Sequence, residues 1–227
     1  LKDFGYVKWG ENHLTTLQKG LGVDFLAVQQ VRDVFLDKAF RQESGREAYY
    51  DVQYQAVTEI EGLFGELEGV TFQDTLKDLW ESIQELAKES DGIVPRSSFV
   101  LSASSFLERA DNIQDQLKKY QLSLNTKVKD MVGRINEIGE EIKTLNYSIR
   151  HNESNGVENA NDLRDQRNLL LDELGKLVNI TYRENTDGMV TVDVEGTSFL
   201  TEDKVFHMDV AKINPGSDIL VPVWNSH

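Results

Sequence analysis

The chain has 227 residues, and its 39 acidic against 24 basic side chains give a formal net charge of −15. This acid excess argues against binding to nucleic acid or to an anionic membrane surface, because phosphate contacts need clustered Lys and Arg. The absence of cysteine excludes disulfides, thiolate metal sites and cysteine nucleophiles. No apolar run approaches the ~20 residues that span a bilayer. We therefore expect neither a nucleic-acid partner nor a membrane partner.

Residues 1–22 are punctuated by glycines and predict loop or short irregular structure. Their aromatic side chains Phe4, Tyr6 and Trp9 either form an exposed binding patch or cover a pair of helices, and the second interpretation is favoured. The chain begins at Leu1 and ends just after a strand-like run, Ile219–Trp224. Both ends therefore suggest a fragment of a longer protein.

Two helices are predicted next. The first runs from about Asp24 to Leu67, and Gly45 in its interior should cost roughly 1 kcal/mol relative to Ala, which predicts a kink or weak point. The second covers residues 71–89, where Thr71 and Asp74 have capping-box spacing. Its predicted inward face consists of Leu76, Leu79, Trp80, Ile83, Leu86 and Ala87.

The third helix is the longest and is predicted from Ser97 or Ser98 to about His151, after a break at Asp91-Gly92 and Pro95. Apolar residues recur along it every three or four positions, which keeps one helix face towards a partner. This apolar seam comprises Phe106, Ala110, Ile113, Leu117, Tyr120, Leu124, Val128, Met131, Ile135, Ile138, Ile142, Leu145 and Ile149. The regular alternation falters once near Leu124–Val128–Met131, where the four-residue steps from Tyr120 to Leu124 and from Leu124 to Val128 run together, a stutter that locally unwinds a supercoil. An ordinary helix bundle is favoured over a free two-stranded coiled coil.

After a polar loop at residues 152–160, a short helix is predicted to start at Asn161 or Asp162. At Asn179 the period of the pattern changes from 3.6 to 2, and alternating runs flank Asp187-Gly188. An Asp-Gly pair between two such runs predicts a β-hairpin. Further strands are predicted at residues 205–210 and 219–224.

The predicted fold class is mainly α with a β part: an elongated bundle of long antiparallel helices, followed by the hairpin and the start of a β-rich domain. The predicted division is an irregular segment at 1–22, a long-helix rod domain at 23–178, and the hairpin with a truncated β-rich domain at 179–227.

No pattern of catalytic residues is present. The histidines, His13, His151, His207 and His227, are far apart and lack metal-ligand spacing. The Glu140-Glu141 pair and the acids of Glu81–Glu89 have a helical phase opposite the apolar residues, so they predict a solvated face rather than a general acid. The acids at Asp187-Gly188 do not follow the calcium-loop pattern. We expect no enzyme activity, no metal and no cofactor.

One segment resembles a known family. It reads Ala160-Asn161-Asp162-Leu163-Arg164-Asp165-Gln166-Arg167-Asn168-Leu169-Leu170-Leu171-Asp172-Glu173-Leu174 and continues through Leu177-Val178-Asn179-Ile180. It is similar to a signature of the bacterial hook-associated protein 1 family, the flagellar hook–filament junction proteins. Three other parts of the chain also resemble the family. They are the hairpin Asp187-Gly188-Met189-Val190-Thr191-Val192, the entry into the first long helix at Gly20–Val23 and Val31–Leu36, and the helix Leu79–Ala87. The similarity covers roughly residues 20–200 in order.

This resemblance implies an axial structural protein of the bacterial flagellum, extracellular and exported by the flagellar type III apparatus, which forms a ring between hook and filament. It implies as partners the hook protein, the second junction protein, copies of itself, and an export chaperone that binds through the C-terminal region. That region and the N-terminal helix are absent from this sequence, so the fragment itself is expected to be monomeric. A structural rather than catalytic role is implied for Asn161, Asp162, Leu163, Arg164, Asp165, Gln166, Arg167, Asp187 and Gly188, with a capped helix start whose charges fix the turn out of the rod.

Two alternatives remain open. A coiled-coil adhesin or signalling module would bind a partner along its helix face and should carry a signal peptide or membrane anchor, whereas a flagellar gene should lie among other flagellar genes. Flagellin or another axial protein of the same superfamily is the second alternative, and the segment at residues 161–167 favours the junction protein over it.

Overall fold

The computed structural model describes residues 2–4, 25–28, 34–65, 71–154 and 160–225. Four α-helices are present in these residues: α1 (Val34–Gly65), α2 (Phe72–Lys88), α3 (Ile93–Glu153) and α4 (Asn161–Leu177). The strands are β1 (Lys2–Phe4), β2 (Phe25–Val28), β3 (Ile180–Glu184), β4 (Val190–Val194), β5 (Thr197–Leu200), β6 (Met208–Lys212) and β7 (Leu220–Trp224). The predicted class, mainly α with a β part, is confirmed. None of the described helices combines the length and apolarity that a membrane span requires.

The first helix begins later than predicted, at Val34 rather than near Asp24. Phe25–Val28 forms β2 instead and pairs antiparallel with β1. Phe and Val favour extended structure, and their partner strand lies more than twenty residues earlier, so the local pattern did not reveal the pairing. The predicted packing of Phe4, Tyr6 and Trp9 over a helix pair concerns side chains outside the described part of the chain.

The chain divides into two compact units. The first unit holds the described residues up to 48, together with 131–154, 160–209 and 223–225, and the second holds 49–65, 71–130 and 210–222. The boundary predicted between residues 178 and 179 lies inside the first unit. In this unit, α4 and the hairpin share one hydrophobic core.

That core lies between α3, α4 and the three-stranded sheet β3-β4-β5. Strand β4 alternates buried and half-buried residues, so one face packs inward, as the period-2 pattern predicted. The buried members are Ile135, Ile138 and Ile142 of α3, Leu171 and Leu174 of α4, and Val190, Val192, Val194, Phe199, Leu200 and Val205 of the β part. The apolar seam was expected to be covered by helices, but here the sheet covers it as well.

The seam shifts by one residue at the predicted stutter. Met131 is 42% exposed, whereas Val132 is only 6% exposed. The buried series therefore makes a further four-residue step from Val128 to Val132 before it resumes at Ile135. This extra four-residue step is the stutter as it occurs in the structure. In the second unit, Ile113 is the buried member of the seam among the described residues, and the others are half-buried.

Helix α2 has the predicted start but not the predicted face. The Thr71 hydroxyl accepts the Asp74 N–H at 2.8 Å, and the Thr71 N–H donates to the Asp74 carboxylate. Hydrogen bonding with the side chain of Thr71, and then with its backbone N–H, lowers the pKa of the Asp74 carboxyl. The buried side of α2 carries Thr75 and Ser82 with half-buried Leu79 and Leu86 between and after them. Four residues predicted to point inward are exposed: Leu76, Trp80, Ile83 and Ala87.

Helix α3 starts at Ile93, earlier than the predicted Ser97 or Ser98. Pro95 lies in its first turn, where a backbone N–H has no helical partner to lose, so the proline is tolerated. The helix has 61 residues, which corresponds to about 90 Å at 1.5 Å per residue.

The strand predictions were correct for the hairpin, and less exact beyond it. Tyr182 pairs with Val192 in the antiparallel register of β3 and β4. Strand β5 was not predicted, and it follows a tight turn in which Glu195 and Gly196 both have positive φ. The run predicted at 205–210 begins only at Met208, because Val205 makes a single bridge to Leu200.

Gly45 lies where α1 passes close to α4. The sequence predicts a kink there, but α1 runs through the residue as one helix. A Cβ at Gly45 would lie 2.7 Å from the carbonyl oxygen of Gly175, closer than real Cβ atoms approach. The two glycines therefore permit a close crossing of α1 and α4.

We expect Gly45→Ala to destabilise the protein, although Ala is favoured over Gly in a helix by roughly 1 kcal/mol. The added methyl group would push against backbone rather than a flexible side chain. Gly62→Ala in the same helix is the control, since its Cβ meets nothing within 4 Å. That variant should gain roughly 0.5–1 kcal/mol. Urea unfolding of both checks the opposite signs, and equal stabilisation would disprove the close crossing.

Candidate functional site at the junction of the long helix and the hairpin

The segment 161–167 forms the first two turns of α4. The helix begins at Asn161, within the predicted start, but no side-chain cap is present because Ala160 occupies the N-cap position. Instead, the Ala160 N–H donates to Glu153 Oε1 at 2.9 Å. The carboxylate that ends α3 thus holds the start of α4. The predicted capped start is therefore corrected: the stabilising group comes from the preceding helix.

Arg164 joins three elements. Its Nε and Nη2 donate to the two carboxylate oxygens of Glu153 at 2.8 and 2.7 Å, and Nη1 donates to Glu184 at the end of β3. This bidentate geometry is among the stronger forms of ion pair. The hydrogen bond from Arg164 is the main cause that lowers the pKa of Glu153, and the same bond raises the pKa of Arg164. The pair fixes the end of α3, the start of α4 and the hairpin together.

Arg167 is a buried cation, with only 1% of its surface exposed. Its Nη1 donates to the Gly188 carbonyl at 2.5 Å and to Asn146 Oδ1 at 3.0 Å, and Nη2 donates to Glu184 at 3.2 Å. Burial is the main cause that lowers the pKa of Arg167, and the nearby Glu184 opposes this shift. A buried charge is tolerated only when it is paired and hydrogen-bonded, and these three contacts supply that compensation.

Asn146 makes hydrogen bonds to the backbone of Val190 in the way that a neighbouring strand would. Its side chain is fully buried, donates through Nδ2 to the Val190 carbonyl at 2.8 Å and accepts the Val190 N–H at 3.1 Å. Asn136 makes the same pair of bonds to Met208, at 2.8 and 2.9 Å. Neither asparagine was predicted from the sequence to have this role. The available signal was an asparagine at a position of α3 that interrupts the apolar face, since a buried amide must find partners.

The second unit contains a related contact on the same helix. Asn125 Nδ2 donates to the Asp218 carbonyl at 2.6 Å, and its Oδ1 accepts the Leu220 N–H at 3.0 Å. Asparagines of α3 therefore hold strand or loop backbone in each unit through paired amide hydrogen bonds.

Gly188 completes the junction. It has a φ of +79°, which favours glycine. A Cβ there would also lie 3.0 Å from Arg164 Nη2 and 3.2 Å from Glu153 Oε2. The structure thus brings Gly188 together with Arg164 and Arg167. We call these three residues and their partners Glu153, Asn146 and Glu184 the polar cluster.

The other predicted motif residues contribute differently. Asp187 Oδ1 accepts the Met189 N–H at 3.4 Å within the hairpin loop. Leu163 is half-buried, whereas Asp162, Asp165 and Gln166 are exposed. These residues shape the helix and the loop around the polar cluster.

A groove of about 620 Å³ lies between α3 and α4 in the first unit. Its leucines, Leu145, Leu169 and Leu170, are flanked by acidic side chains. The full lining is Glu140, Glu141, Thr144, Leu145, Gln166, Leu169, Leu170 and Glu173. We refer to it as the α3–α4 groove.

Arg134 ties the acidic rim of the α3–α4 groove together. It donates to both oxygens of Glu173 at 2.7 and 2.9 Å and contacts Glu141 at 2.9 Å. The hydrogen bond from Arg134 is the main cause that lowers the pKa of Glu173. Glu140 is exposed and pairs with Lys143 at 3.3 Å and with His207 at 3.0 Å. The Glu140-Glu141 pair thus lies on a solvated face, as predicted.

Within the described ranges, no group of three His, Asp or Glu side chains is placed to hold a metal ion. His151 is exposed, and His207 pairs with Glu140. His13 and His227 belong to the residues outside the described ranges. The polar cluster holds α3, α4 and β3 in a fixed orientation.

The Arg164–Glu153 pair predicts a pH dependence of stability. Because the folded-state pKa of Glu153 lies below its ordinary value of 4.5, the unfolded chain binds this proton more readily. The contribution is complete above that value and is lost as the pH falls through the lower folded-state pKa. We therefore expect Glu153→Gln to flatten the fall in stability below about pH 5.

The control for this experiment is Glu108→Gln, at an exposed position of α3. Urea unfolding of wild type and both variants between about pH 2.5 and pH 6 checks the expectation. If Glu108→Gln flattened the profile as much as Glu153→Gln did, the pair would have no special role in acid stability.

The chain is similar to known proteins in sequence and in fold. The family model described as "Flagellar hook-associated protein FlgK helical domain" matches residues 57–224. Flagellar hook-associated protein 1 of Bacillus subtilis (strain 168) is 30% identical over 184 residues, which is 81% of this chain and 36% of the relative. The protein of the same name from Salmonella typhimurium is 24% identical over 162 residues, 71% of this chain and 29% of the relative. The chain thus spans about a third of the length of these relatives.

The fold also matches a solved structure, that of the flagellar hook junction protein FlgK from Burkholderia pseudomallei. The TM-score is 0.68 at 18% identity, over 83% of this chain and 33% of that one. At this identity the match shows the fold alone. The family match, however, includes all of α3, the polar cluster and the hairpin. This chain belongs to the family of the FlgK helical domain, from the flagellar hook-associated proteins.

Proposed function

We propose that the protein is a structural component of the bacterial flagellum at the junction between hook and filament, and that it performs no catalysis. The observation that carries the proposal is the family match over residues 57–224. The relatives in Bacillus and Salmonella are named hook-associated protein 1, and the Burkholderia protein is named a hook junction protein.

The geometry of the first unit supports a mechanical role. Arg164 and Arg167 bind the ends of α3, α4 and β3 through directional hydrogen bonds, while the apolar core fills the space between them. A buried network of directional hydrogen bonds favours one orientation of its elements. A junction between a flexible and a rigid tube needs such fixed geometry in each subunit. The polar cluster suits that role better than it suits chemistry.

The location and partners follow from the same proposal. The protein would act outside the cell, in the flagellum, after export by the flagellar type III apparatus. Its partners would be the hook protein, the second junction protein, further copies of itself and an export chaperone. The net charge of −15 supports neither nucleic acid nor an anionic membrane as a further partner.

Deleting the gene that encodes this chain tests the proposed function. We expect cells that still assemble hooks but carry no filaments, with flagellin released into the medium, and complementation should restore filaments. Electron microscopy and immunoblotting of the medium provide the readouts. Normal filaments in the deletion strain would contradict the proposal, and lost surface adhesion with intact filaments would instead support the adhesin alternative.

A further inference from the structure

The α3–α4 groove presents apolar surface inside an acidic rim. Leu169 is 68% exposed, next to half-buried Leu145 and Leu170. Glu140, Glu141 and Glu173 stand around these leucines. Isolated exposed leucines are common, but here several apolar side chains share a concave surface whose charged lining residues are all glutamates. Arg134 and Lys143 pair with these glutamates from outside the lining, and the three glutamates still outnumber the two cations. An occupant should therefore offer an apolar side chain flanked by cations.

This chain carries a surface of that kind itself. The 13 residues Leu117–Lys129 contain four lysines and no acid, in a chain of net charge −15. Leu122 is 61% exposed, and Lys118 and Lys119 precede it by four and three residues, which places them beside it on the helix surface. Among described residues, no carboxylate forms an ion pair with Lys118 or Lys119. We call Lys118, Lys119 and Leu122 the basic patch.

We propose that the α3–α4 groove of one copy receives the basic patch of a second copy. Leu122 would pack against Leu169, while Lys118 and Lys119 would approach the glutamates of the rim. Charge complementarity is the argument for this occupant. Two copies with a large negative charge repel each other in general, so a stable contact should bring lysines of one copy to glutamates of the other. The inference rests on the proposed function, in which copies assemble side by side, and identifies the surfaces that meet.

The contact is heterologous, because it joins two different surfaces. The groove lies between α3 and α4, whereas the basic patch lies on another part of α3. Each copy can therefore receive one neighbour and be received by another, which propagates through a ring or a row. A two-fold dimer would instead use the same surface on both copies. This difference gives the proposal a sharp test, since the groove and the patch can be blocked in separate chains.

The experiment uses two variants of the full chain. Leu169→Arg blocks the groove, because the guanidinium occupies its apolar centre and pairs with the rim. Lys118→Glu with Lys119→Glu blocks the basic patch. All three positions are exposed on helices, and both replacements are good helix formers, so the fold should persist. Circular dichroism verifies this before association is measured.

We expect sedimentation equilibrium to show self-association of the wild type as its concentration approaches about 1 mM, the range of weak contacts. Each variant alone should stay monomeric there. An equimolar mixture should form dimers and nothing larger, because one intact groove and one intact patch remain between the two chains. The control Leu107→Arg, at a position 60% exposed on α3, should associate like the wild type.

A wild type that stays monomeric, variants that still associate, or a mixture that does not dimerise would each overturn the inference. So would a loss of association in Leu107→Arg equal to that in Leu169→Arg. None of these results touches the proposed function, which the deletion strain tests separately: filaments lost on deletion together with a failed mixing experiment would leave the junction role intact and remove only this contact.

Discussion

Replacing Ile135 with Asp is expected to lower the free energy of unfolding by several kcal/mol. Ile135 is 3% exposed and belongs to the core shared by α3, α4 and the sheet. An aspartate there would place an unpaired charge in an apolar environment, one of the few mechanisms that produce such large effects. Urea denaturation followed by circular dichroism measures the loss.

Glu140→Ala is the matched control on the same helix. Its carboxylate contacts Lys143 and His207, and all these contacts are at or near the surface. Exposed ion pairs contribute little, so the change should stay below about 0.5 kcal/mol. Equal losses of stability in the two variants would mean that the helical phase of the seam is wrong.

The second large effect is expected at Arg167. Arg167→Ala should destabilise the protein by about 2–4 kcal/mol, because it leaves the Gly188 carbonyl without this donor and opens a cavity. Glu184 keeps its contact with Arg164, which limits the loss. Arg167→Lys retains the charge but not the fork of donors, so it should recover only part of the stability.

Arg183→Ala serves as the control for Arg167, since Arg183 is an exposed arginine on β3. Its replacement should cost less than about 1 kcal/mol. Thermal and urea unfolding compare the variants. If Arg167→Ala unfolded at the same urea concentration as Arg183→Ala, the polar cluster would not be what holds the hairpin to the helices.

The elements that depend on local pattern were predictable. The capping box at Thr71 and the Asp-Gly turn predicted α2 and the hairpin, because the residues that form them lie close in sequence. Strands β1 and β2 were not predictable, since each is short and depends on a partner more than twenty residues away. The wrong face of α2 has a related cause: it has apolar residues on more than one side, and only the neighbouring helices decide which side is buried.

The polar cluster was predictable only in part. Segment 161–167 was correctly placed at the start of a helix, and its role is still a structural proposal. The partners of Arg164 and Arg167 could not be predicted, because Asn146 and Glu184 come from α3 and β3. Gly188 was predicted as a turn residue. The second reason for a glycine there is that the Arg164 side chain lies close to it, and this tertiary contact could not be predicted from the local sequence.

We infer that the apolar seam of α3 is covered within one chain, by its own helices and sheet. Light scattering coupled to size exclusion, at about 10 μM, tests it directly. We expect a monomer of 25.8 kDa, because the core residues of the first unit already contact one another and like charges repel between copies. The groove contact proposed above is too weak to populate dimers at that concentration. A stable dimer that dissociates on Ile142→Asp would contradict the claim and favour a two-stranded coiled-coil module.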